Sequence, residues 1–479
     1  MTGSLETLAL RVQVPGFAGT TLAREEAGLL EQGLGGVCLF GANAADGPEA
    51  LGALTAAVNA ARPDAVVAVD EEGGDVTRFH ARTGSPALGH AALGVVDDLG
   101  LTERTAAMIG AELRELGVTL DLAPVADVNS NPANPVIGVR SFGADAARVA
   151  RHVVAFVEGL RTAGVAACVK HFPGHGDTHE DSHVGLPRVE ATEGLLANRE
   201  LVPFAAAVAA GVPAVMTSHV LVPALDPHVP ATLSVAVLRR LREELGFEGV
   251  VVSDALDMAG ASAGRGVPAA AVAALRAGCD LLLLGPDKDA SLVAEVRRAV
   301  VAAVREGELS EERLARAADR VAGLAALRQG TPEPGGSSSG PEEQVAAARR
   351  ALAVDGALPG LVGALLTRVE TPPTIAVGEV PWGVPGEAVD PDADGAADSL
   401  ARAADGRPVV VQVRDLVRRP DVGRLVATLP GDVVLVEYGW PGEWADLPAN
   451  VCARIRTHGA SLPARAAVEA LLVERGWRP

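Results

Sequence analysis

Between Lys170 and Pro187 the chain gathers four histidines, three acidic residues and a lysine into one segment. Pro173, Gly174 and Gly176 keep that segment from being a helix, so its polar groups belong to a loop. Directly before it, Gly164 to Val169 is a run of small and β-branched residues that reads as a short buried strand. Lys170 and His171 are therefore expected at a strand end and the other groups in the loop beyond, where parallel α/β proteins keep their chemistry.

A second segment, Val-Val-Ser-Asp-Ala-Leu-Asp-Met, puts Asp254 immediately after another apolar run. A carboxylate so placed can attack an anomeric carbon while a second group protonates the departing oxygen. The alternative for Asp254 is the N-cap of a following helix. Asp257 is expected on a helix face. For the acid/base, Asp181 and His183 offer a carboxylate that would raise the imidazole pKa and fix its tautomer. Histidines 171, 175, 179 and 183 recur every four residues, which on a helix would form a metal-ligand set. Proline and glycine break that register, so no metal site is expected. His175 and His179 are expected to hydrogen-bond their own backbone.

Something must hold these segments at one place. Before residue 329, apolar runs alternate with Ala/Leu/Arg/Glu stretches of helical period, the pattern of repeated strand–helix units. Eight strands are expected: Leu8 to Val14, Gly36 to Phe40, Ala65 to Val69, Thr119 to Ala123, Val165 to Val169, Ala214 to Met216, Gly249 to Val252 and Leu281 to Leu284. Eight units fit a (β/α)₈ TIM-type barrel better than an open sheet. Asp70, Asp127, Arg140, Lys170 to His183, Ser218, His219 and Asp254 then all follow strand ends, on the face where the loops converge.

Gln329 to Glu343 carries no apolar residue and reads as a flexible tether. The expected organisation is a catalytic domain over 1–328, a linker over 329–343 and a smaller α/β layered domain over 344–479. In that last part Thr374 to Gly378, Pro408 to Val413 and Asp432 to Glu437 are strand-like. Trp382, Tyr438, Trp440 and Trp444 suit core packing or a sugar-stacking platform.

A 479-residue chain with 48% hydrophobic residues can bury a large core, and a net charge of −20 opposes capture of nucleic acid or an anionic membrane. The expected ligand is a small molecule. No signal-like segment or membrane-length apolar run stands out, and Cys38, Cys168, Cys279 and Cys452 lie too far apart for a metal knuckle or redox motif. A cytoplasmic chain with reduced core thiols is expected.

The loop sequence Lys-His-Phe-Pro-Gly-His-Gly-Asp-Thr, followed by Asp-Ser-His and later Ser-Asp-Ala-Leu-Asp-Met, closely resembles the β-N-acetylglucosaminidases (β-hexosaminidases) of glycoside hydrolase family 3. Pro-Gly-Phe-Ala-Gly-Thr at 15 to 20, Asp-Glu-Glu-Gly-Gly at 70 to 74, Asn-Pro-Val-Ile-Gly-Val-Arg-Ser-Phe-Gly at 134 to 143 and Met-Thr-Ser-His at 216 to 219 extend the resemblance over about Leu8 to Leu327. It implies a (β/α)₈ domain acting with retention and without a metal or other cofactor. Asp254 matches the family's nucleophile and His183 its acid/base, partnered by Asp181. Asp70, Arg78, Arg140, Lys170 and His171 match positions that bind the terminal N-acetylglucosamine. Relatives in the cytoplasm often act on peptidoglycan fragments in which that sugar is linked to an anhydro-muramic acid. Glu71 stands where many relatives have glutamine and Asp75 where many have a basic residue, so a more acidic edge and altered preference beyond the first sugar are expected. Two alternatives stand beside this one: a phosphorylase, because an imidazole does not repel phosphate as a carboxylate base would, and an inert sugar-binding protein on the same barrel, against which Asp254, Asp181 and His183 together argue.

Overall fold

The computed structural model describes residues 3–181, 185–262, 264–327 and 338–478. Its first part is built on eight short strands: β1 (Gln13–Val14), β2 (Gly36–Leu39), β3 (Val66–Val69), β4 (Leu120–Asp121), β5 (Ala166–Phe172), β6 (Ala214–Thr217), β7 (Val250–Val252) and β8 (Leu282–Leu283). Strands β2 to β7 pair in chain order as a six-stranded parallel sheet, and β1 pairs with β8 in parallel. A parallel bridge from Val252 to Leu281 joins β7 to the start of β8. The Gly35 N–H donates to Leu10 O, and the Cys38 N–H to Pro15 O, between the β1 and β2 segments.

Strand periodicity sorts the side chains into two layers. Val14, Cys38, Val66, Ala68, Leu120, Cys168, Ala214, Met216, Val250, Val252 and Leu283 meet in one inner cluster to which all eight strands contribute. Their alternates, among them Val37, Val67, Val69, Val215 and Val251, pack outward against the helices. The helices begin where the sequence supplies caps: Asp98, Asp145 and Asp289 each accept a hydrogen bond from a backbone N–H three residues on. Gly164, with φ of 79°, ends the helix Ala146–Ala163 and turns the chain into β5.

The first expected strand was placed too early. Leu8 to Arg11 belong to the helix Leu5–Arg11, whose N-cap Ser4 accepts from the Thr7 N–H, and only Gln13 and Val14 are strand. β5 also runs past its expected end to Phe172, so Lys170 and His171 lie within it, where its pairing with β6 shifts register.

The second part is a six-stranded sheet in the order β11-β10-β12-β13-β14-β9. Its strands are β9 (Ala353–Gly356), β10 (Leu365–Val369), β11 (Glu387–Val389), β12 (Val409–Val413), β13 (Val433–Glu437) and β14 (Val451–Arg456), parallel except for β9. Two apolar clusters cover its faces, as an α/β layered domain requires. Trp382 and Tyr438 pack edge to face in one of these clusters, with ring centroids 5.7 Å apart.

Part of the expected tether is packed. Residues 328–337 lie outside the described residues, but Ser339 is buried and the helix Pro341–Ala351 starts inside the range read as linker. Gln344 on that helix accepts from the Leu88 N–H and donates to Thr105 Oγ1, both at 2.8 Å, fixing it against the first part. No helix among the described residues is long and apolar enough to cross a membrane.

Candidate active site

The loops after β2, β3, β4, β5, β7 and β8 meet around a cavity of about 590 Å³. That volume is within the range of about 300–1,000 Å³ usual for small-molecule sites. Asp70, Arg78, Arg140, Lys170, His171, His175 and Asp254 all line it.

A buried charge network forms one wall. Lys170 comes off β5 almost fully enclosed, its Nζ 2.5 Å from Asp70 Oδ1 and 2.7 Å from Glu72 Oε1. Arg140 grips the same Glu72 through two bonds, Nε at 3.0 Å and NH2 at 2.7 Å. Burial alone would raise the Glu72 carboxyl, but Arg140 and Lys170 outweigh it and hold the group well below the usual carboxylate range. His171 presents Nδ1 to Asp127 Oδ2 at 2.7 Å, which leaves its Nε2 edge 3.5 Å from Arg140. Burial opposes the ionised form of Asp127, yet His171 and His175 lower its pKa on balance. The result is a set of positioned donors and acceptors suited to sugar hydroxyls. Lys170 is both a cavity-lining residue and the ion-pair partner of Asp70.

Across the cavity, Asp254 sits in the turn after β7, before the short helix Ala259–Ser262, so it caps no helix. Its Oδ1 accepts from the Ala255 N–H at 2.8 Å, and its own N–H donates to Thr217 Oγ1 at 3.4 Å. His219 Nε2 donates to Ala255 O at 2.9 Å, tying this turn to the loop after β6. Asp257 was expected on a helix face. It lines the cavity instead, 2.8 Å from Lys288 Nζ, because the turn bends before any helix begins.

The loop after β5 is anchored through its first half. Asp177 accepts from Ser130 Oγ at 2.8 Å and from Arg199 NH2 at 2.7 Å. Asn131 donates to Thr178 O, and Asn134 to His175 O. Gly176 passes so close to residue 128 that a Cβ would stand 1.9 Å from Val128 O, which is why no larger residue fits there. His175 Nδ1 lies 2.8 Å from Thr178 Oγ1 within its own loop, and His179 Nδ1 is 3.2 Å from Asn131 Nδ2. Asp181 is described. His183 and its neighbours Ser182 and Val184 lie outside the described residues. The Gly185 N–H, just past them, returns to Asp181 O at 3.0 Å. Among the described residues no cluster of histidine, cysteine or carboxylate groups has metal-binding geometry.

Glu200 lies beneath this loop, and burial pushes its carboxyl up to about 7 against the pull of Arg199. A folded-state value above the ordinary 4.5 means that the folded protein keeps a proton the unfolded chain releases. The stability associated with that proton is complete below pH 4.5 and drains away as pH rises through about 7. Glu200→Gln, which stays neutral, should therefore gain about 1–3 kcal/mol relative to wild type between pH 4.5 and pH 8. Urea unfolding at the two pH values measures this. An identical pH dependence in both proteins would refute it.

The second part supplies the remaining wall. Residues 375–380 line the cavity, and Arg78 donates to Ala376 O at 2.8 Å and to Val377 O at 3.3 Å. Arg78 also lies 3.9 Å from Asp70. Thr374 to Gly378 is thus no strand. Ala376 and Val377 are buried, Ala376 packing with Val125, Val136 and Ile137 of the first part, while Ile375 stays exposed. Glu71 and Asp75 do not make the cavity edge more acidic, because both are buried and engaged. Glu71 accepts from the Arg78 and Phe79 N–H groups, while Asp75 pairs with Arg414 at 2.7 Å and accepts from the Ala460 N–H.

The model of the glycosyl hydrolase family 3 N terminal domain matches residues 8–324. Beta-hexosaminidase A of Pseudoalteromonas piscicida is 38% identical over 290 residues, which are 56% of this chain and 48% of that protein, so the chain spans about half the length of that relative. The Alkalilimnicola ehrlichii beta-hexosaminidase is 42% identical over 279 residues, 56% of this chain and 79% of that protein. The solved glycoside hydrolase family 3 beta-N-acetylglucosaminidase from a Paenibacillus species superposes with a TM-score of 0.89 at 31% identity, covering 99% of this chain and 97% of that one. With that model matching residues 8–324, the range that supplies every charged lining residue named above, this chain belongs to glycosyl hydrolase family 3.

Proposed function

We propose that this chain is a retaining β-N-acetylglucosaminidase that removes terminal N-acetylglucosamine from β-linked glycosides. The supporting observation is the meeting of Asp254 with Asp70, Arg78, Arg140, Lys170 and His171 around one cavity of monosaccharide scale. Asp70 accepts from sugar hydroxyls, while Arg78, Arg140, Lys170 and His171 contribute binding and charge balance. The framework is a closed (β/α)₈ barrel over residues 1–328, for which the shared inner cluster and the β7–β8 bridge speak. The smaller domain over 344–479 closes the site with residues 375–380.

Asp254 attacks the anomeric carbon and the bond to the leaving oxygen breaks, giving a covalent glycosyl-aspartate. His183, paired with Asp181, donates its proton to that oxygen. The neutral imidazole then takes a proton from water, whose oxygen attacks the same carbon and frees Asp254. The assignment of His183 rests on the Asp-Ser-His motif, and the anchoring of residues 174–178 supports a fixed root for the arm that carries it. A fragment of cell-wall peptidoglycan is the proposed substrate, and the unbridged cysteines fit a cytoplasmic setting.

His183→Ala should cost about 10²–10⁴ in rate on a disaccharide, whose alkoxide leaving group needs a proton. It should cost far less on a nitrophenyl glycoside at the glycosylation step. Equal losses on both would remove His183 from the acid role. The same assays with millimolar phosphate should give free N-acetylglucosamine at an unchanged rate. Formation of a sugar 1-phosphate would make the chain a phosphorylase instead.

A further inference from the structure

The second domain holds a cavity of about 400 Å³ that shares no lining residue with the active-site cavity. It opens beside the carboxyl end of β13, between the helix Pro420–Ala427 and the turn Trp444–Asp446. Ligands of open α/β sheets bind outside the carboxyl ends of strands. Leu416, Val417, Pro420, Leu447 and Pro448 make its walls apolar.

One polar group on this wall is unmatched. Glu437, the last residue of β13, is fully buried, and its Oε2 accepts from both Nε and NH2 of Arg454. Arg454 spends NH1 on Gly442 O at 2.8 Å. Glu437 Oε1 has no hydrogen-bond partner among the described residues. A buried acceptor left this way costs about 1–3 kcal/mol, which a donor entering the cavity would recover. Burial pushes Glu437 up to about 7, with Arg454 pulling the other way. Glu443 and Asp446 add two acids to the lining, against Arg424 as the one further cation.

We propose that this cavity is a binding site for a small organic cation, with an ammonium N–H donated to Glu437 Oε1 and an apolar body against Leu416, Val417 and Leu447. The donor satisfies the unmatched oxygen, and the acidic lining selects charge. The site stands apart from the glycosidase site and does not depend on its assignment.

The test uses the full chain and two probes of one shape, benzylamine and neutral benzyl alcohol, titrated by ligand-observed NMR. Benzylamine should bind at least tenfold more tightly than the alcohol. Glu437→Gln should weaken it at least tenfold, and Gly423→Leu, which fills the cavity from the helix without touching the ion pair, should abolish it. Both variants should hydrolyse a chromogenic glycoside at the wild-type rate, which also verifies folding. Equal affinity for amine and alcohol, no binding of either, or benzylamine binding unchanged in both variants would overturn the proposal.

Discussion

Asp254→Asn is expected to lower turnover of a β-N-acetylglucosaminide by about 10⁴- to 10⁶-fold, the scale on which removal of a covalent nucleophile acts. The substitution is nearly isosteric, and the amide oxygen of asparagine retains the acceptor role that Oδ1 plays toward the adjacent Ala255 N–H. Folding and sugar binding should therefore survive, the second because Lys170, Asp70, Glu72 and Arg140 form a network of their own. Asp254→Gly with sodium azide gives the sharper result. Azide should enter the vacated face, accept the sugar and yield the α-glycosyl azide from a β-glycoside substrate. A loss below tenfold in the asparagine variant, or a β-azide product, would take the nucleophile's role away from Asp254.

The sequence carries this site unevenly, and the reason is range. Asp254, Lys170 and His171 were recognisable because each sits in or just after an apolar run that becomes β7 or β5. Glu72 was missed because its importance lies in pairing with Arg140, 68 positions away, and with Lys170. The wall at residues 375–380 depends on Arg78 reaching carbonyls nearly 300 residues along the chain, for which local pattern holds no signal. Asp280 marks a limit of reading acids as catalytic. It lies at the start of β8, where Arg242, Arg313 and Arg320 surround it in a structural cluster away from the cavity.

The same physics explains which strands were legible. β2, β3, β6 and β7 are short apolar runs whose every residue is buried, so hydropathy finds them. β14 reads Val-Cys-Ala-Arg-Ile-Arg and escaped notice, because Arg454 is buried by its pairing with Glu437 and not by apolarity. Thr374 to Gly378 misled in the opposite sense, its Ala376 serving a contact between the two parts of the chain.

That long-range pairing makes Glu72 the most consequential residue outside the chemistry itself. Glu72→Gln would leave two enclosed cations, Lys170 and Arg140, with only the partly exposed Asp70 as close counter-charge. Removing one member of a buried ionic cluster costs about 3–5 kcal/mol, because the desolvated charges left behind lose their compensation. The pH dependence should change as well. Glu72 is held well below its ordinary value of 4.5, so its contribution is complete above that pH and is lost as pH falls toward the folded-state value. The variant should be much less stable than wild type at pH 7, and the gap should narrow in acid. Binding should suffer in parallel, with KM raised at least about tenfold, since Arg140 keeps at most one of the two bonds that orient it toward the cavity. Guanidinium unfolding at pH 7 and pH 4, alongside steady-state kinetics, measures all three effects. A destabilisation under 1 kcal/mol at pH 7 would mean that the cations are held by something other than Glu72.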